Sequence, residues 1–462
     1  MNYTEQVADF IVRSKVQKLP EEVIQQAKLL ILDTLGCGVG GYCTNVGKQI
    51  VTMAKGFSNS EGASLIGEGS KVSEVIACWA NSSLTNLMDM DETFSGVAHI
   101  GNCVVPTALG IGEVSKASGA TVVHALVLGF EVASRILHYI WPTPAKGVRT
   151  YFPSTLQVLA AVTVAGKLLG LDKTELVNAF GLAGTVPPLP IDMKKFVERP
   201  MGFGKNPFGW TTFTGVFWTQ LAQMGMRGTP NILDGDAGFW AIMGSDQCHF
   251  EKLSEGLGEK YHIMDTKFKP YPSCTWGHST LDATKKITRQ YQLKAEDIKE
   301  VNIWTLERAV QFLSDLKIET IFDAQFSLPY AIAMVLLNQK EGPEWMSEEN
   351  MFHNVKVKKI EEKVRLFIDP EAEKLFFQEN GEAMLSTVEI KTKGNGTFLE
   401  KVKYPKGSPR NPLTEEELIE KFKTVGSSLL GVKRIDTILE LINGLEKLDD
   451  VSTLMGLLSG YE

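Results

Sequence analysis

Between Asn86 and Pro106 the sequence NLMDMDETFSGVAHIGNCVVP gathers Asp89, Asp91, Glu92, Thr93 and His99 close to Gly96 and Gly101. Acids and glycines at this density read as a loop, and loops held between rigid elements are where catalytic groups are placed. Histidine is the side chain that gives and takes a proton near neutral pH, so His99 is the natural general acid or base. The bland alternatives are a helix N-cap for either aspartate and a structural role for the imidazole. A metal site at Asp89, Asp91 and His99 would need a further ligand that the sequence does not supply, so no metal is expected.

Two further stretches carry usable chemistry. KFKPYPSCTWGHST, from Lys267 to Thr280, places Lys267, Lys269, Cys274 and His278 in one short segment. Two ammonium groups, a thiol and an imidazole could bind an anion, with Cys274 also a conceivable nucleophile served by His278. Its prolines equally suit a rigid hinge with exposed lysines. MKKFVERPMGFGKNPFGW, from Met193 to Trp210, interleaves cations with glycines but lacks the GxxxxGK[ST] of a phosphate loop. Arg199 there could clamp a carboxylate bidentately, or the run could be a solvated basic loop. Tyr330, in AQFSLPYAIAMVLL, is either a core aromatic or a proton donor facing a cleft.

The elements that position these residues change character along the chain. Up to about Leu257 the apolar spacing is helical, with Asp172 and Glu175 forming a capping box and Gly170 ending a small-residue helix from Thr155 to Leu169. After Lys267, Val301, Ile303 and Thr305 alternate with polar neighbours, as do VKVKKI, KVRLFI and STVEIKTK, and Gly394-Asn395-Gly396 reads as a hairpin turn before FLEKVKY. Helical spacing at Ser279 to Tyr291 and Leu328 to Leu337 completes an α+β unit. Beyond Pro412 a capping box at Thr414 and Glu417 opens a helical tail. The expected fold is therefore mainly α: residues 1–266 and 404–462 form an all-helical domain, with an α+β lid, 267–403, inserted between them.

Composition narrows the function classes. The 462 residues carry 47 Lys plus Arg against 55 Asp plus Glu, a net charge of −8, so no general cationic field awaits nucleic acid. Six cysteines lie far apart, which argues against a disulfide framework or structural zinc and for a reducing, cytoplasmic compartment. The amino-terminal segment lacks the apolar core of a signal peptide. The longest apolar stretch, Ala120 to Phe130, is too short to cross a membrane.

Taken in order, LLILDTLGCGVGGY, the Asn81–Glu113 stretch, HALVLGFEVASRI, KPYPSCTWGH and NPLTEEELIEKF resemble, essentially from end to end, the MmgE/PrpD family of dehydratases, decarboxylases and epimerases. The resemblance implies a homodimer, a cofactor-free active site between the two domains, and a small carboxylic acid substrate. It places the family's acidic and threonine positions on Asp89 and Thr93, its catalytic histidine on His99, its lysine on Lys269 and its tyrosine on Tyr330. Cys274 falls where relatives have histidine or cysteine. Two departures stand out: Tyr151 in RTYFPS replaces a family histidine, and Arg199 in ERPMGFG replaces a lysine, with Gly202 in place of that motif's histidine.

The combined reading is a lyase or isomerase that moves a proton next to a carboxylate by dehydration, decarboxylation or epimerisation. His99, Tyr330, Tyr151 and Cys274 are the candidate catalytic groups, and Asp89, Thr93, Arg199, Lys269 and His278 the candidate substrate-binding groups. The competing reading is a non-catalytic carboxylate-binding or interaction protein on the same scaffold. Neither needs a cofactor, a nucleic acid or a membrane. The apolar helices Thr121 to Ile140 and Thr155 to Leu169 are the expected dimer surface.

Overall fold

The computed structural model describes residues 2–143, 146, 150–151, 154–187, 191–192, 198–203 and 207–460, with the backbone alone at 150–151 and 191–192. The protein is mainly α, with one small sheet-containing unit. The helical body is built around Glu21–Tyr42, Glu74–Thr85, Gly101–Val114, Gly119–Tyr139, Gln157–Leu168 and Phe208–Gln223. Small residues let these helices approach closely. A Cβ on Gly129 would stand 2.3 Å from Val164 Cγ2, which is how Gly119–Tyr139 and Gln157–Leu168 come into contact. By length and apolarity Gly119–Tyr139 could cross a membrane, yet 89% of it is buried within the protein, where Glu131 and Arg135 pair at 2.7 Å. It is the central core helix.

Helix ends follow the sequence signals. Both capping boxes form, Asp172 with Glu175 and Thr414 with Glu417, each satisfying backbone N–H groups that the first helical turn cannot. Gly170 adopts φ +73° just beyond Leu168, a conformation that a Cβ would disfavour.

The sheet orders its strands Val364–Ile368, Ile298–Thr305, Ser386–Thr392, Thr397–Val402. The first pair is parallel and the others antiparallel. Val301 faces Ile390 and Ile303 faces Val388 across the two central strands; all four side chains are fully buried, and helix His278–Tyr291 packs on the sheet, with Leu328–Leu336 packed on that helix. Asn395, at φ 62°, makes the turn of the last hairpin. One expected strand is a helix: Val355–Glu361 buries Val357, Ile360 and Glu361 at helical spacing, with Asn354 accepting from the Lys356 N–H at its start. Alternating Val and Lys satisfied both periods over so short a run, and the N-cap decided it. A small antiparallel pair, Ser58–Ser64 with Lys71–Val72, lies within the helical half and was not foreseen.

The tail rejoins the body. Glu415–Gly426 packs on Glu21–Tyr42, where Lys421 Nζ reaches Asp33 Oδ1 at 2.5 Å and the Met90 carbonyl at 2.6 Å. Body and sheet unit meet where Thr93 and Lys267 exchange two backbone hydrogen bonds, of 2.8 and 2.9 Å, and where the Phe268 N–H donates to the Gly407 carbonyl at 3.0 Å.

Candidate active site

The loop between Glu74–Thr85 and Gly101–Val114 is almost wholly buried, so its polar groups must satisfy one another. It does so by folding back on itself, with positive φ at Asp89, Ser95 and Gly96 (50°, 50° and 67°). The Asp91 carboxylate accepts from Asn86 Nδ2 at 2.7 Å, from Asn102 Nδ2 at 3.2 Å and from His99 Nδ1 at 3.0 Å. A carboxylate oxygen facing the ring accepts, which places the hydrogen of a neutral imidazole on Nδ1. The lone pair of neutral His99 is therefore on Nε2, which stands 3.8 Å from Asp89 Oδ1. Gln157 Nε2 fixes the His99 carbonyl at 2.7 Å, and the ring lies 5.5 Å from that of Phe208. The arrangement is an imidazole whose Nδ1 side is fixed by a buried aspartate, with Nε2 turned toward Asp89.

Charge around this pair is balanced in several ways. Lys269, fully buried, donates to Asp89 Oδ1 at 2.8 Å and also to the Asp89 carbonyl. Glu92 accepts the Gly101 N–H at 2.7 Å, while burial and the Asp91 charge push its carboxyl well above the usual range. Burial raises the Asp33 carboxyl too, against the opposing pull of Lys421. The Thr93 hydroxyl is fully buried and has no hydrogen-bond partner among the described residues.

The Lys267–His278 segment sends its groups in different directions. Lys267 Nζ donates to Thr275 Oγ1 and meets Met384 Sδ at 3.6 Å. His278 Nε2 donates to the Ser273 carbonyl at 3.0 Å; burial, with the Lys267 and Lys269 charges, pushes the imidazole well below its ordinary range, leaving it neutral with a bare Nδ1. The Cys274 backbone N–H donates to the Gln325 carbonyl at 2.9 Å, and Gln325 Nε2 in turn reaches the Leu87 carbonyl at 2.6 Å.

Of the groups singled out from sequence, the structure thus assembles Asp89, His99 and Lys269, with Thr93 in the same buried loop. Arg199 is engaged within the protein: Nε stands 3.3 Å from Asp315 Oδ2 and 3.4 Å from Asp323 Oδ1, and its terminal N–H groups donate to the Glu198 and Phe312 carbonyls. Tyr330 is a fully buried helix residue whose hydroxyl donates to the Trp345 carbonyl at 2.5 Å. Its surroundings push the phenol up, first by burial and then through Glu361. The Tyr151 side chain is outside the described residues, and Gly202 is exposed with open space where a Cβ would be. Asp89, Asp91 and His99 offer one ligand atom each within 4.8 Å of one another, but Asp91 already accepts three hydrogen bonds and Asp89 faces the Lys269 ammonium.

Sequence reasoning gave no catalytic role to Asp91, Asn86, Asn102 or Gln157. The first three could have been found, because they flank His99 in one stretch and Asn102 follows it at helical spacing. Gln157 arrives from a separate helix and had no local signal.

Comparison with known proteins fits this geometry. The MmgE/PrpD N-terminal domain model matches residues 5–251, and the C-terminal domain model matches 271–447. Cis-aconitate decarboxylase of Homo sapiens is 26% identical, covering 99% of this chain and 94% of the relative. The protein of that name from Mus musculus is 25% identical over 99% and 93%, and one from Aspergillus terreus 23% identical over 99% and 96%.

Proposed function

The chain belongs to the MmgE/PrpD family, and we propose that it is a cofactor-independent lyase or isomerase moving a proton at the carbon beside a carboxylate of a small organic acid. The observation that carries this reading is His99 Nε2, held by the Asp91–Nδ1 contact and turned toward the buried Asp89–Lys269 pair. In the proposed reaction His99 Nε2 takes or returns the proton, while Asp91 stabilises the imidazolium that forms. Lys269 spends two donors on Asp89, and its third N–H serves the substrate carboxylate as enolate-like charge develops. From one such carbanion, loss of water, protonation after loss of carbon dioxide, and reprotonation on the opposite face all follow.

The relatives are named for cis-aconitate, a tricarboxylate. This chain lacks two family histidines, at Tyr151 and Gly202, and its Arg199 is engaged by Asp315 and Asp323, so we assign it a substrate with fewer carboxylates. Residues 267–403 would act as a lid on the helical body. Purified protein offered a panel of small mono-, di- and tricarboxylic acids, cis-aconitate included, is expected to catalyse proton exchange in deuterated water or a change in alkene absorbance. Binding without exchange or product across the panel would leave the non-catalytic reading in its place.

The homodimer that the resemblance implies needs a different surface from the one first expected, because helices Gly119–Tyr139 and Gln157–Leu168 are buried inside the protomer. Helix Phe208–Gln223 presents Trp210, Phe213 and Phe217 as parallel rings 5.2 and 5.7 Å apart, and Met224 continues the same exposed stripe. An outward aromatic ladder of this kind suits an isologous contact with a second copy. Light scattering on Trp210→Glu/Phe217→Glu should show monomers where the parent protein is dimeric; a monomeric parent would discard the assignment.

A further inference from the structure

Body and sheet unit enclose a cavity of about 150 Å³. The body contributes Phe94, His138 and His262, and the sheet unit contributes Glu382 and the Asn380–Gly381 turn, with Lys267 at the seam. The two sides touch so closely that a Cβ on Gly381, at φ +83°, would stand 2.2 Å from the Ser95 carbonyl. Lys267 is 5% exposed, and among the described residues no carboxylate pairs with it. Its recorded acceptors are one hydroxyl and a thioether, although an ammonium has three hydrogens to place.

A buried cation with no carboxylate at ion-pair distance is costly; the more distant Asp282 charge offsets that cost only in part, and an anion entering the cavity would offset it further. We propose that this cavity is a binding site for a small monocarboxylate, held by the Lys267 ammonium. The single charge follows from the walls. His138 is buried beside His262 and is neutral at physiological pH, its imidazole pushed down to about 4. Two acids sit at the rim, each already engaged: Asp265 Oδ2 is 3.3 Å from His262 Nδ1, and Glu382 Oε2 is 3.6 Å from Arg410 Nε. They balance a lone lysine poorly but would repel a dianion. The space corresponds to about five waters at ~30 Å³ each, enough for a two- to four-carbon acid whose tail lies against the Phe94 ring. Burial and the neighbouring Lys269 push the Lys267 amine down to about 7, against the attraction of Asp282 and Cys274.

Met384 provides a local reporter, since its sulfur touches Nζ. Full-length protein carrying ¹³C-methyl methionine would be titrated with propionate, then with succinate and phosphate, in a carboxylate-free buffer. Propionate should shift the Met384 methyl signal saturably and the dianions should do so at least tenfold more weakly. Lys267→Met should weaken propionate by at least tenfold, whereas His99→Ala should leave it unchanged, which separates this site from the catalytic one. No saturable shift in the parent protein overturns the proposal whether or not the variant folds. So does binding that survives Lys267→Met, that is lost in His99→Ala, or that is equal for succinate.

Discussion

In the Asp89–His99 loop each charged group finds much of its partnership within a few residues of itself: Asp91 holds His99, Asn86 and Asn102 hold Asp91, and the Asn86 carbonyl accepts the Asp89 N–H. In the Lys267–His278 segment, equally rich in chemistry, the groups part company. Lys269 goes to Asp89, Lys267 to Thr275 and the junction cavity, and His278 to the Ser273 carbonyl. The first is a buried loop returning between two helices, and it must satisfy its polar atoms from within. The second runs from the body into the sheet unit and offers side chains to different neighbours. Density of reactive residues marks a site only where the backbone turns them toward one point.

The largest effect expected from this contrast is at the centre of the converging loop. His99→Ala should lower turnover by about 10²–10⁴-fold, the usual contribution of a positioned proton-transfer group. Proton exchange in deuterated water measures it directly. Unchanged exchange would reduce the Asp91–His99 pair to a structural contact and erase the distinction between the two regions.

Asp91→Asn tests whether the loop orients its histidine. Without the carboxylate the imidazole loses the acceptor that fixes Nδ1–H, so kcat should fall by about 10²-fold with KM little changed. A loss confined to KM would show that Asp91 shapes the pocket instead of the base.

Lys269→Met cuts an ion pair joining the two regions and takes the ammonium away from Asp89, a carboxylate only 2% exposed. Breaking such a pair from one side costs about 3–5 kcal/mol. Chemical denaturation should show it, and Asp89→Asn/Lys269→Met together should recover part of the loss. A single variant as stable as the parent would mean that the site takes up water freely.

How much of this was legible depended on how local each determinant is. Both capping boxes and the Gly394–Gly396 turn lie within a few residues and were readable, as was the alternation of Val301, Ile303 and Thr305 that marks a strand. Val355–Ile360 misled because alternation over so few residues fits helix and strand alike. His99, Asp89 and Lys269 were candidates from residue type and setting, and the resemblance added specific positions to that reading. That Lys269 closes on Asp89 instead of standing open, and that Arg199 turns to Asp315 and Asp323, depends on contacts between chain segments far apart in sequence. No periodicity encodes them.

The smallest predicted effect has the opposite sign, and it separates the two lysines of the diverging segment. Folding lowers the Lys267 amine from 10.5 to about 7, so between those values the unfolded chain binds more protons than the folded one. Stability therefore rises as pH climbs from about 7 toward 10.5, and below that window the full cost of a buried ammonium is present. Lys267→Met removes that cost while giving up the Thr275 contact, for a net gain of about 1–2 kcal/mol at neutral pH that shrinks as the solution becomes alkaline. The comparison belongs in a buffer without carboxylates. Acetate would fill the junction cavity of the parent and stabilise it in proportion to its concentration, narrowing the gap to the variant. Should Lys267→Met instead destabilise at every pH, its ammonium would have a counter-ion after all, and the two lysines would be equivalent buried pairs.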